Sequence, residues 1–582
     1  MEHDFDAVIV GSGGAGLYAA LEVVRSGRAP RTAVVSKLFP MRSHTGAAQG
    51  GIGAALGNVE ADLPEWHAFD TVKGGDYLTD QNAAILLADD AVRAVYELEH
   101  FGLPFNRTDA GRIDQRRFGG HTRGFGEGPV HRACYAADRT GHMILQTLYQ
   151  QCIQHHVSFF NEFYLADVII DGKKCSGIVA YELATGELHV FRSTAVLIAT
   201  GGFGRMFQIT SNAHANTGDG PAVLSRRGVP LQDMEFYQFH PTGIRGMGIL
   251  ITEGVRGEGG ILRNSRGERF MEQYAPGLLD LAPRDMIARA IVEEIRAGRG
   301  ITGTGDSRDY VHLDATHLGK ETIDKKLPDI ADFCRTYQNI DPAEKPIPVQ
   351  PTAHYGMGGI PTDIDGRVIS GEDGAVYDGL YAAGEAACVS VHGANRLGTN
   401  SLVDLVVFGA RAGRHMAAFA GGEQSPSGGG HPADAVREEV ERLKSGGGNG
   451  RTVPHIRDDF RATMMDNVGI YRNGDSMRRA VEHLRELQEE WRGVRVRDGS
   501  KAYNTALVEA LEQKNLLDLA RITAESALRR EESRGAHARE DFRERDDDAF
   551  LHHSLAWQEQ GNIRIGKRPV DLSRWKPKPR VY

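Results

Sequence analysis

The chain has 582 residues, of which 68 are Lys or Arg and 78 are Asp or Glu, so its formal net charge is −10. This balance gives no basic surface for nucleic acid, and no apolar run reaches the roughly 18 residues that predict a membrane span. The length predicts roughly three or four domains. The first predicted strand begins almost at Met1, so we expect no signal or transit peptide.

A glycine-rich turn follows the first predicted strand. Residues 6–10 form a short apolar run, and GSGGAG (11–16) follows it directly, with Gly11, Gly13 and Gly16 in GxGxxG spacing. A helix over about residues 17–26 would direct its first amides at phosphate groups. A GxGxxG between a strand and a helix predicts a dinucleotide site.

The end of the second strand favours FAD over NAD as that dinucleotide. An acidic residue usually ends this strand in NAD sites, whereas residues 32–35 run into Ser36 and Lys37. Two later apolar runs, AVLIATGGFG (195–204) and GLYAAGEAA (379–387), are predicted to enter the same sheet. The flavin domain would then be discontinuous in sequence.

His44 lies in MRSHTGAAQGG (41–51), shortly after the glycine turn. A histidine placed where a flavin ring should lie can be the point of covalent attachment. This pairing of turn and histidine is the most specific local signal in the chain.

The rest of the chain divides by composition. Residues 235–350 are mixed and rich in charged loops, and glycine-rich α/β character returns from 351. Glycine-rich segments at 423–432 and 445–450 flank a predicted short helix, and a helical pattern covers about 454–535. The last 45 residues contain few clear elements, and the charged run 539–548 predicts either a solvated face or a partner surface.

The five cysteines, at positions 134, 152, 175, 334 and 388, have no CxxC spacing. Nothing in the pattern indicates an iron–sulfur cluster, a zinc site or a disulfide framework, and a reducing compartment fits best.

Cationic and imidazole side chains stand in distinctive settings through the middle of the chain. QFHPTG carries His240, TEGVRGEGG carries Glu253 and Arg256, and PRDMIAR carries Arg284, while His354 and Arg396 follow later. Two arginines and two histidines that converged would suit a small dicarboxylate, because guanidinium groups grip carboxylates in bidentate fashion. Spacing alone does not show that these side chains converge. Each arginine could instead form a surface salt bridge, and each histidine could have a structural role.

These segments resemble the flavoprotein subunits of succinate:quinone oxidoreductases, in the succinate dehydrogenase/fumarate reductase superfamily. The matching motifs run over nearly the whole chain: GSGGAG, SKLFPMRSHTGAAQGG (36–51), RFGGHTRG (117–124), QFHPTG (238–243), TEGVRGEGG (252–260), PRDMIAR (283–289), PTAHYGMGGIPT (351–362), GEAACVSVHGANRLGTNSLVDLVVFG (384–409) and ESRGAHAREDF (532–542).

The resemblance implies an α/β fold in which a two-dinucleotide-fold FAD-binding domain is interrupted by a mixed α/β capping domain. A helical bundle domain and a small C-terminal domain would follow. The implied bounds are 1–234 with 351–422 for the FAD-binding domain, 235–350 for a mobile cap, 423–537 for the helical domain and 538–582 for the C-terminal domain.

The resemblance also implies which residues hold FAD, with His44 covalently bonded to the flavin. The implied contacts are Gly11, Ser12, Gly13, Gly14, Ala15, Gly16, Ser36, Lys37, Ser43, His44, Thr45, Gln49, Gly50, Gly51, Asp219, Glu385, Ser401 and Leu402. The implied dicarboxylate contacts are His240, Thr252, His354 and Arg396, with Phe118 and Gly119 in a loop beside the substrate.

Arg284 matches the family's proton-transferring residue, and Glu253 and Arg256 match its relay partners. An arginine is an awkward base because its ordinary pKa exceeds about 12. The alternative is that Arg284 only clamps a carboxylate.

The family implies an iron–sulfur subunit, a membrane anchor and quinone as partners, with succinate or fumarate as substrate and no nucleic acid. The chain would then sit peripherally on the cytoplasmic face of a bacterial cell membrane, held through those partners.

Three alternatives to succinate oxidation remain at this point. Fumarate reductases use the same site, although Gln49 resembles the dehydrogenase form. A soluble L-aspartate-oxidase-like enzyme would lack the attachment histidine. A flavin-loaded subunit without turnover predicts the loss of a substrate residue, and none is lost.

Overall fold

The computed structural model describes residues 1–303, 308–422, 431–445 and 450–580. The strands are β1 (Glu2–Val10), β2 (Thr32–Ser36), β3 (Ile52–Gly53), β4 (Gln115–Arg123), β5 (Gly128–Cys134), β6 (Ser158–Asn161), β7 (Phe163–Asp171), β8 (Lys174–Glu182), β9 (Leu188–Ile198), β10 (Leu231–Gln232), β11 (Tyr237–Ile244), β12 (Ile261–Arg263), β13 (Ile301–Thr302), β14 (Arg308–Asp314), β15 (Ile347–Gly356), β16 (Ile360–Pro361), β17 (Arg367–Ile369), β18 (Val376–Ala382), β19 (Ala387–Cys388), β20 (Tyr471–Arg472), β21 (Ala538–Arg539), β22 (His552–Glu559) and β23 (Asn562–Pro569).

The helices alternate with these strands in the first part of the chain and dominate after residue 400. They are α1 (Gly14–Arg25), α2 (Pro64–Gly74), α3 (Gln81–His100), α4 (Thr140–Gln154), α5 (Asp219–Arg226), α6 (Gly254–Gly257), α7 (Met271–Tyr274), α8 (Arg284–Arg296), α9 (Lys320–Lys326), α10 (Pro328–Phe333), α11 (Asn400–Ala420), α12 (Asp434–Lys444), α13 (Val453–Asn467), α14 (Gly474–Trp491), α15 (Thr505–Arg529) and α16 (Asp547–Phe550).

The main sheet has the strand order β17-β18-β8-β9-β1-β2-β6, with β7 beside β8. β1 runs parallel to β2 and β9, and β18 runs parallel to β9. The two later apolar runs therefore join the sheet of the first strand, as predicted. The strands β1, β2, β9 and β18 end at one edge, because Val10 pairs with Val35 and Ile198, and Ile198 pairs with Ala382. Ligands bind at such an edge in open α/β sheets.

Helix α1 begins at Gly14, three residues earlier than the sequence predicted. Its first turn is built from the glycine motif itself, and Leu17 N–H already donates to Gly13 O at 2.9 Å. Helix α1 packs against α11, so both helices cover one face of the main sheet.

The interrupting segment has its own sheet, β11-β15-β14-β12, with β13 beside β14. Its apolar side chains form a separate core that draws only on residues between 244 and 349. Strand β15 runs through the predicted boundary at 350/351, and the domain bounds themselves stay predictions. The α/β fold with an interrupting mixed segment, a helical region and a C-terminal part agrees with the expected fold class.

Helices α13, α14 and α15 pack together, and α12 is the predicted short helix between the two glycine-rich segments. Those segments fall largely on 423–430 and 446–449, outside the described residues. Over the part of the chain described, no helix is both long and apolar enough to cross a bilayer.

The C-terminal region is more ordered than the sequence predicted, because β22 and β23 form an antiparallel hairpin that pairs with β10. Gln560 and Gly561 both adopt positive φ angles (47° and 81°) at its turn. The apolar stretch of β22 is only Leu555, Ala556 and Trp557 and stands between polar residues, which made the strand signal weak. Within the run 539–548, Arg545 pairs with Asp76 at 2.8 Å and Arg539 with Asp541 at 2.8 Å, so the run is partly engaged within the chain.

Candidate active site

A cavity of about 720 Å³ opens at the edge where β1, β2, β9 and β18 end. It collects most of the residues that the sequence predicted for cofactor and substrate. Those in its lining are Gly11, Ser12, Gly13, Gly14, Ala15, Ser36, Lys37, Ser43, His44, Thr45, Gln49, Gly50, Gly51, Phe118, Asp219, His240, Thr252, Glu253, Arg284, His354, Glu385, Arg396, Ser401 and Leu402. The predicted residues Gly16, Gly119 and Arg256 lie behind this lining.

The glycine turn and the His44 loop are joined at one end of the cavity. The Gly14 N–H donates to Thr45 Oγ1 at 3.1 Å. A Cβ on Gly16 would lie 2.0 Å from Gly11 O, so only glycine permits the close approach of turn and helix. Helix α1 has no side-chain cap and no acidic residue in its first turn, so its N-terminus is suited to a phosphate group.

His44 lines the cavity, and one of its ring nitrogens is already engaged. The Ala213 N–H donates to His44 Nδ1 at 3.4 Å, so Nε2 is the nitrogen outside this contact. Burial lowers the pKa of His44 to about 4, so the imidazole is neutral at pH 7. In a ring substituted at Nε2, Nδ1 keeps the lone pair that accepts this hydrogen bond, so the contact suits a linkage through Nε2.

Lys37 is held by two carboxylates rather than free to meet a ribose. Its Nζ lies 2.8 Å from Asp219 Oδ2 and 2.5 Å from Glu512 Oε1. Asp219 also accepts from Asn515 Nδ2 at 3.0 Å. Glu512 and Asn515 belong to α15, far along the chain, and no motif in the sequence pointed to them. The helical region thus closes this end of the cavity.

Two acceptors complete the dinucleotide side of the cavity. Gln49 Oε1 is buried and has no partner among the described residues. Burial raises the pKa of Glu385 to about 7, and its Oε1 accepts the Gly356 N–H at 3.2 Å. The uncapped helix, the glycine turn and the unpartnered acceptor fit FAD.

At the other end, His240 and His354 face each other with ring centroids 5.1 Å apart. The Thr242 N–H donates to His240 Nδ1 at 3.2 Å, and His240 Nε2 is buried without a partner within the described residues. Burial, followed by Arg284, lowers the pKa of both histidines well below the ordinary value. A neutral His240 therefore carries its proton on Nε2 and offers an unused donor.

Arg284 and Arg396 meet at Gln238, which the sequence analysis did not single out. Gln238 Oε1 accepts from Arg284 Nη1 at 3.1 Å and from Arg396 Nη2 at 3.2 Å. Arg396 Nε is buried without a partner among the described residues. Burial, followed by the charge of Arg284, lowers the pKa of Arg396 to about 9. The arginines and histidines converge, as a dicarboxylate site requires.

Glu253 is the centre of the predicted relay. Its Oε2 accepts from Arg284 Nε at 2.8 Å, and its Oε1 accepts from the Gly119 N–H at 2.6 Å. Burial opposes ionisation, yet Arg284 and Arg256 hold the pKa of Glu253 below its usual value. Arg256 Nη2 lies 3.7 Å from Glu253 Oε2 and makes no hydrogen bond there. Arg284 is therefore hydrogen-bonded to Glu253, whereas Arg256 interacts with Glu253 only as an ion pair.

The ring of Tyr355 packs against the Arg396 guanidinium. The guanidinium carbon of Arg396 lies 4.5 Å from the centre of the Tyr355 ring. Tyr355 Oη lies 3.2 Å from His392 Nε2 and 3.5 Å from Asp404 Oδ2. Tyr355 lies in the PTAHYGMGGIPT segment, but its contact with Arg396, far along the chain, is visible only in the folded protein.

Comparisons with known proteins point to one family of flavoproteins. The FAD binding domain family matches residues 6–402, and the fumarate reductase flavoprotein C-terminal family matches residues 457–582. The succinate dehydrogenase flavoprotein subunit of Coxiella burnetii is 48% identical, over 99% of this chain and 97% of the relative.

Two solved structures are similar over nearly the full length. A variant of the E. coli quinol fumarate reductase has a TM-score of 0.93 at 38% identity and covers 100% of this chain and 99% of its own. The Mycobacterium smegmatis Sdh1 complex in its apo form has a TM-score of 0.84 at 34% identity, with 99% and 96% covered.

Proposed function

Because the chain belongs to the succinate dehydrogenase/fumarate reductase flavoprotein family, we propose that it is a catalytic flavoprotein subunit that oxidises succinate to fumarate. The observation that carries this proposal is a pair of unused donors in one cavity with His44. His240 Nε2 and Arg396 Nε are both buried without partners among the described residues. Buried donors of this kind are costly unless a ligand accepts from them.

FAD, when bound, supplies the hydride acceptor for the carbon–hydrogen bond of succinate. The glycine turn and helix α1 would hold its pyrophosphate. His44 would hold the flavin covalently through Nε2, since the Ala213 N–H occupies Nδ1. Gln49 and Glu385 would contact the remaining polar groups of the cofactor.

The dicarboxylate would lie between the two arginines and the two histidines. Arg396 would grip one carboxylate, and the neutral His240 and His354 would donate to carboxylate oxygens. Thr252 and Phe118 line the same end of the cavity and would fix the orientation of the carbon chain.

Arg284 would take the proton that leaves succinate opposite the hydride after it passes one of its own guanidinium protons to Glu253. Glu253, bonded to Arg284 Nε at 2.8 Å, holds the side chain in place and would receive the proton from it. Arg256, whose Nη2 lies 3.7 Å from Glu253 Oε2, would carry the proton onward by releasing one of its own protons as it accepts one.

Electrons would leave through an iron–sulfur subunit toward a membrane anchor and quinone. The similarity to the quinol fumarate reductase of E. coli and to the Sdh1 complex of Mycobacterium smegmatis supports such partners. In that assembly the chain would be peripheral to the membrane, on its cytoplasmic face.

Fumarate reduction is the second candidate, because the same residues bind either dicarboxylate and the E. coli relative carries that name. The direction would follow the potential of the partner.

An activity assay separates the substrate classes. Purified flavoprotein is given succinate or L-aspartate, with phenazine methosulfate as the electron acceptor. We expect turnover with succinate and none with L-aspartate. Turnover with L-aspartate, or with neither substrate, would contradict the proposal.

A further inference from the structure

An arginine-rich surface lies beside the flavin cavity and takes no part in the proposed chemistry. We define the arginine surface as Arg205, His214, Arg457 and Arg461. Arg205 lies in a short helical turn after β9, and α13 and α15 pack against that turn. His214 is exposed, and the three arginines are half-buried.

Two of these arginines have no carboxylate partner within the described residues. Arg461 donates from Nε to Arg205 O at 2.7 Å and from Nη2 to Gln513 Oε1 at 3.4 Å, both neutral acceptors. The Arg205 side chain makes no hydrogen bond or ion pair in the described part of the chain, and its Nε is buried. Only Arg457 is neutralised, by Asp458 and by Glu509 at 2.7 Å.

The charges of this surface repel one another. Burial, followed by Arg205 and Arg457, lowers the pKa of Arg461 to about 10. Arg205 is the largest cause that lowers the pKa of His214, followed by burial and Arg461. Half-buried cations normally pair with carboxylates. The chain has a formal net charge of −10 and so has ample carboxylates, yet within the described residues none of them pairs with Arg205 or Arg461.

The arginine surface adjoins the His44 edge of the cavity. His214 directly follows Ala213, whose N–H donates to His44 Nδ1. Under the proposed function, His44 marks the edge of the flavin, and an electron acceptor has to approach an accessible edge closely. The surface beside His44 is therefore a suitable place for that acceptor to dock.

We infer that the arginine surface is a docking site for an acidic segment of the electron-accepting iron–sulfur subunit. Carboxylates from the partner neutralise Arg205 and Arg461 and remove the repulsion that the isolated subunit carries. Charge complementarity of this kind speeds association and fixes orientation. The inference rests on the proposed function for the existence of the partner, and on the unpaired arginines for its chemistry.

The test is the dissociation constant between the flavin-loaded flavoprotein and its iron–sulfur subunit, measured at several salt concentrations. The variants are R205Q, R461Q and their double, all of which keep a polar side chain. We expect the double variant to raise Kd by about tenfold or more at low salt and to weaken the salt dependence. The matched control is the double variant R478Q with R492Q. Arg478 lies in α14 and Arg492 directly follows it. Both are exposed, and each pairs with a nearby carboxylate, Asp475 or Glu489.

Succinate turnover with phenazine methosulfate is measured on every variant. We expect it to stay at the wild-type level, which shows that the variants fold and load flavin. A double variant with unchanged Kd and unchanged salt dependence would overturn the inference. Inorganic phosphate is titrated against the same variants as a small anion probe. If the double variant loses phosphate binding but keeps its affinity for the partner, the arginine surface binds anions and not the partner, and the inference is overturned. Absence of succinate turnover in the wild type would instead count against the proposed function, since Kd is measured without turnover.

Discussion

Arg284 is positioned by both ends of its guanidinium group, with Nε on Glu253 and Nη1 on Gln238. This geometry suits a residue that passes a proton to Glu253, and it also leaves the side chain beside a bound carboxylate. The two roles respond differently to lysine, which keeps the charge but loses the planar fork.

We expect Arg284→Lys to lower kcat by about a hundredfold or more while KM changes less, because proton transfer contributes roughly that factor. Steady-state kinetics with succinate and phenazine methosulfate measure both constants. If kcat is retained and only KM rises, Arg284 is a clamp and the relay is wrong.

Tyr355 predicts a graded effect on substrate affinity. Its ring lies 4.5 Å below the Arg396 guanidinium, a contact that contributes about 1–2 kcal/mol when desolvated. We expect Tyr355→Leu to raise KM for succinate roughly tenfold, and Tyr355→Phe to raise it only about twofold, since the ring remains. Equal effects of Phe and Leu on KM would show that the hydroxyl contact with His392, and not the ring, supports Arg396.

The sequence predicted which residues line the site better than it predicted their partners. Glycine spacing and the His44 segment indicated a flavin cavity because those patterns are local. Gln238, Ala213 and Glu512 act through contacts between segments far apart in the chain, and no single-segment pattern reveals such contacts. Arg284 and Arg396 lie in separate motifs, so their shared acceptor became visible only in the folded chain.

Strand β22 is tied to the flavin-binding part by a buried histidine. His553 Nδ1 lies 2.6 Å from Asp233 Oδ2, and its Nε2 lies 3.2 Å from Asp80 Oδ1. Burial opposes the charge, but Asp233 and Asp80 together raise the pKa of His553 to about 9. Arg568 also contacts Asp80, at 2.9 Å.

The charged His553 stabilises the fold. This stabilisation is fully present below pH 6.5, the pKa of histidine in the unfolded chain, and is lost as the pH rises through 9, the pKa in the folded chain. We expect the unfolding free energy of the wild type to fall by about 3 kcal/mol across this window. The His553→Asn variant should be less stable than the wild type at pH 6, and its unfolding free energy should not change between pH 6.5 and 9. Chemical denaturation measures both.

The control for this prediction is the neighbouring His552. Burial, followed by Arg530, lowers the pKa of His552 to about 4, so it does not change charge between pH 6.5 and 9. His552→Asn should keep the wild-type pH dependence. A His553→Asn profile that still slopes like the wild type would refute the account.

Strands β1, β9 and β18 were predictable because each is a short apolar run that leads into glycines. The C-terminal hairpin was not, because the apolar stretch of β22 is only Leu555, Ala556 and Trp557, and the Gln560–Gly561 turn is not among the strongest hairpin signals. Its stability comes from distant partners such as β10 and Asp233, which the local pattern does not contain.

The predicted cap, residues 235–350, is joined to the rest of the molecule by hydrogen bonds beside the cavity. Asp138 Oδ2 accepts the N–H groups of Asp329 and Ile330, at 2.8 and 3.1 Å, in the first turn of α10. Asp138 and Asp329 both line the cavity. Opening of the cap at this point would break both hydrogen bonds.

We expect Asp138→Ala to favour the open cap and raise KM for succinate severalfold, because buried hydrogen-bond acceptors are worth about 1–3 kcal/mol. Asp138→Asn retains an acceptor oxygen and should stay within about twofold of the wild type. Initial-rate kinetics with succinate measure KM for both variants. A wild-type KM for Asp138→Ala would show that these hydrogen bonds do not hold the cap closed.

In the proposed function, His44 holds the flavin covalently in a site that oxidises succinate. The most direct measurement is flavin fluorescence after acid precipitation of the wild type and of His44→Ala, each purified with FAD. We predict that flavin stays with the washed wild-type pellet and is released into the supernatant from His44→Ala. A colourless wild-type pellet with all flavin in the supernatant would contradict the claim.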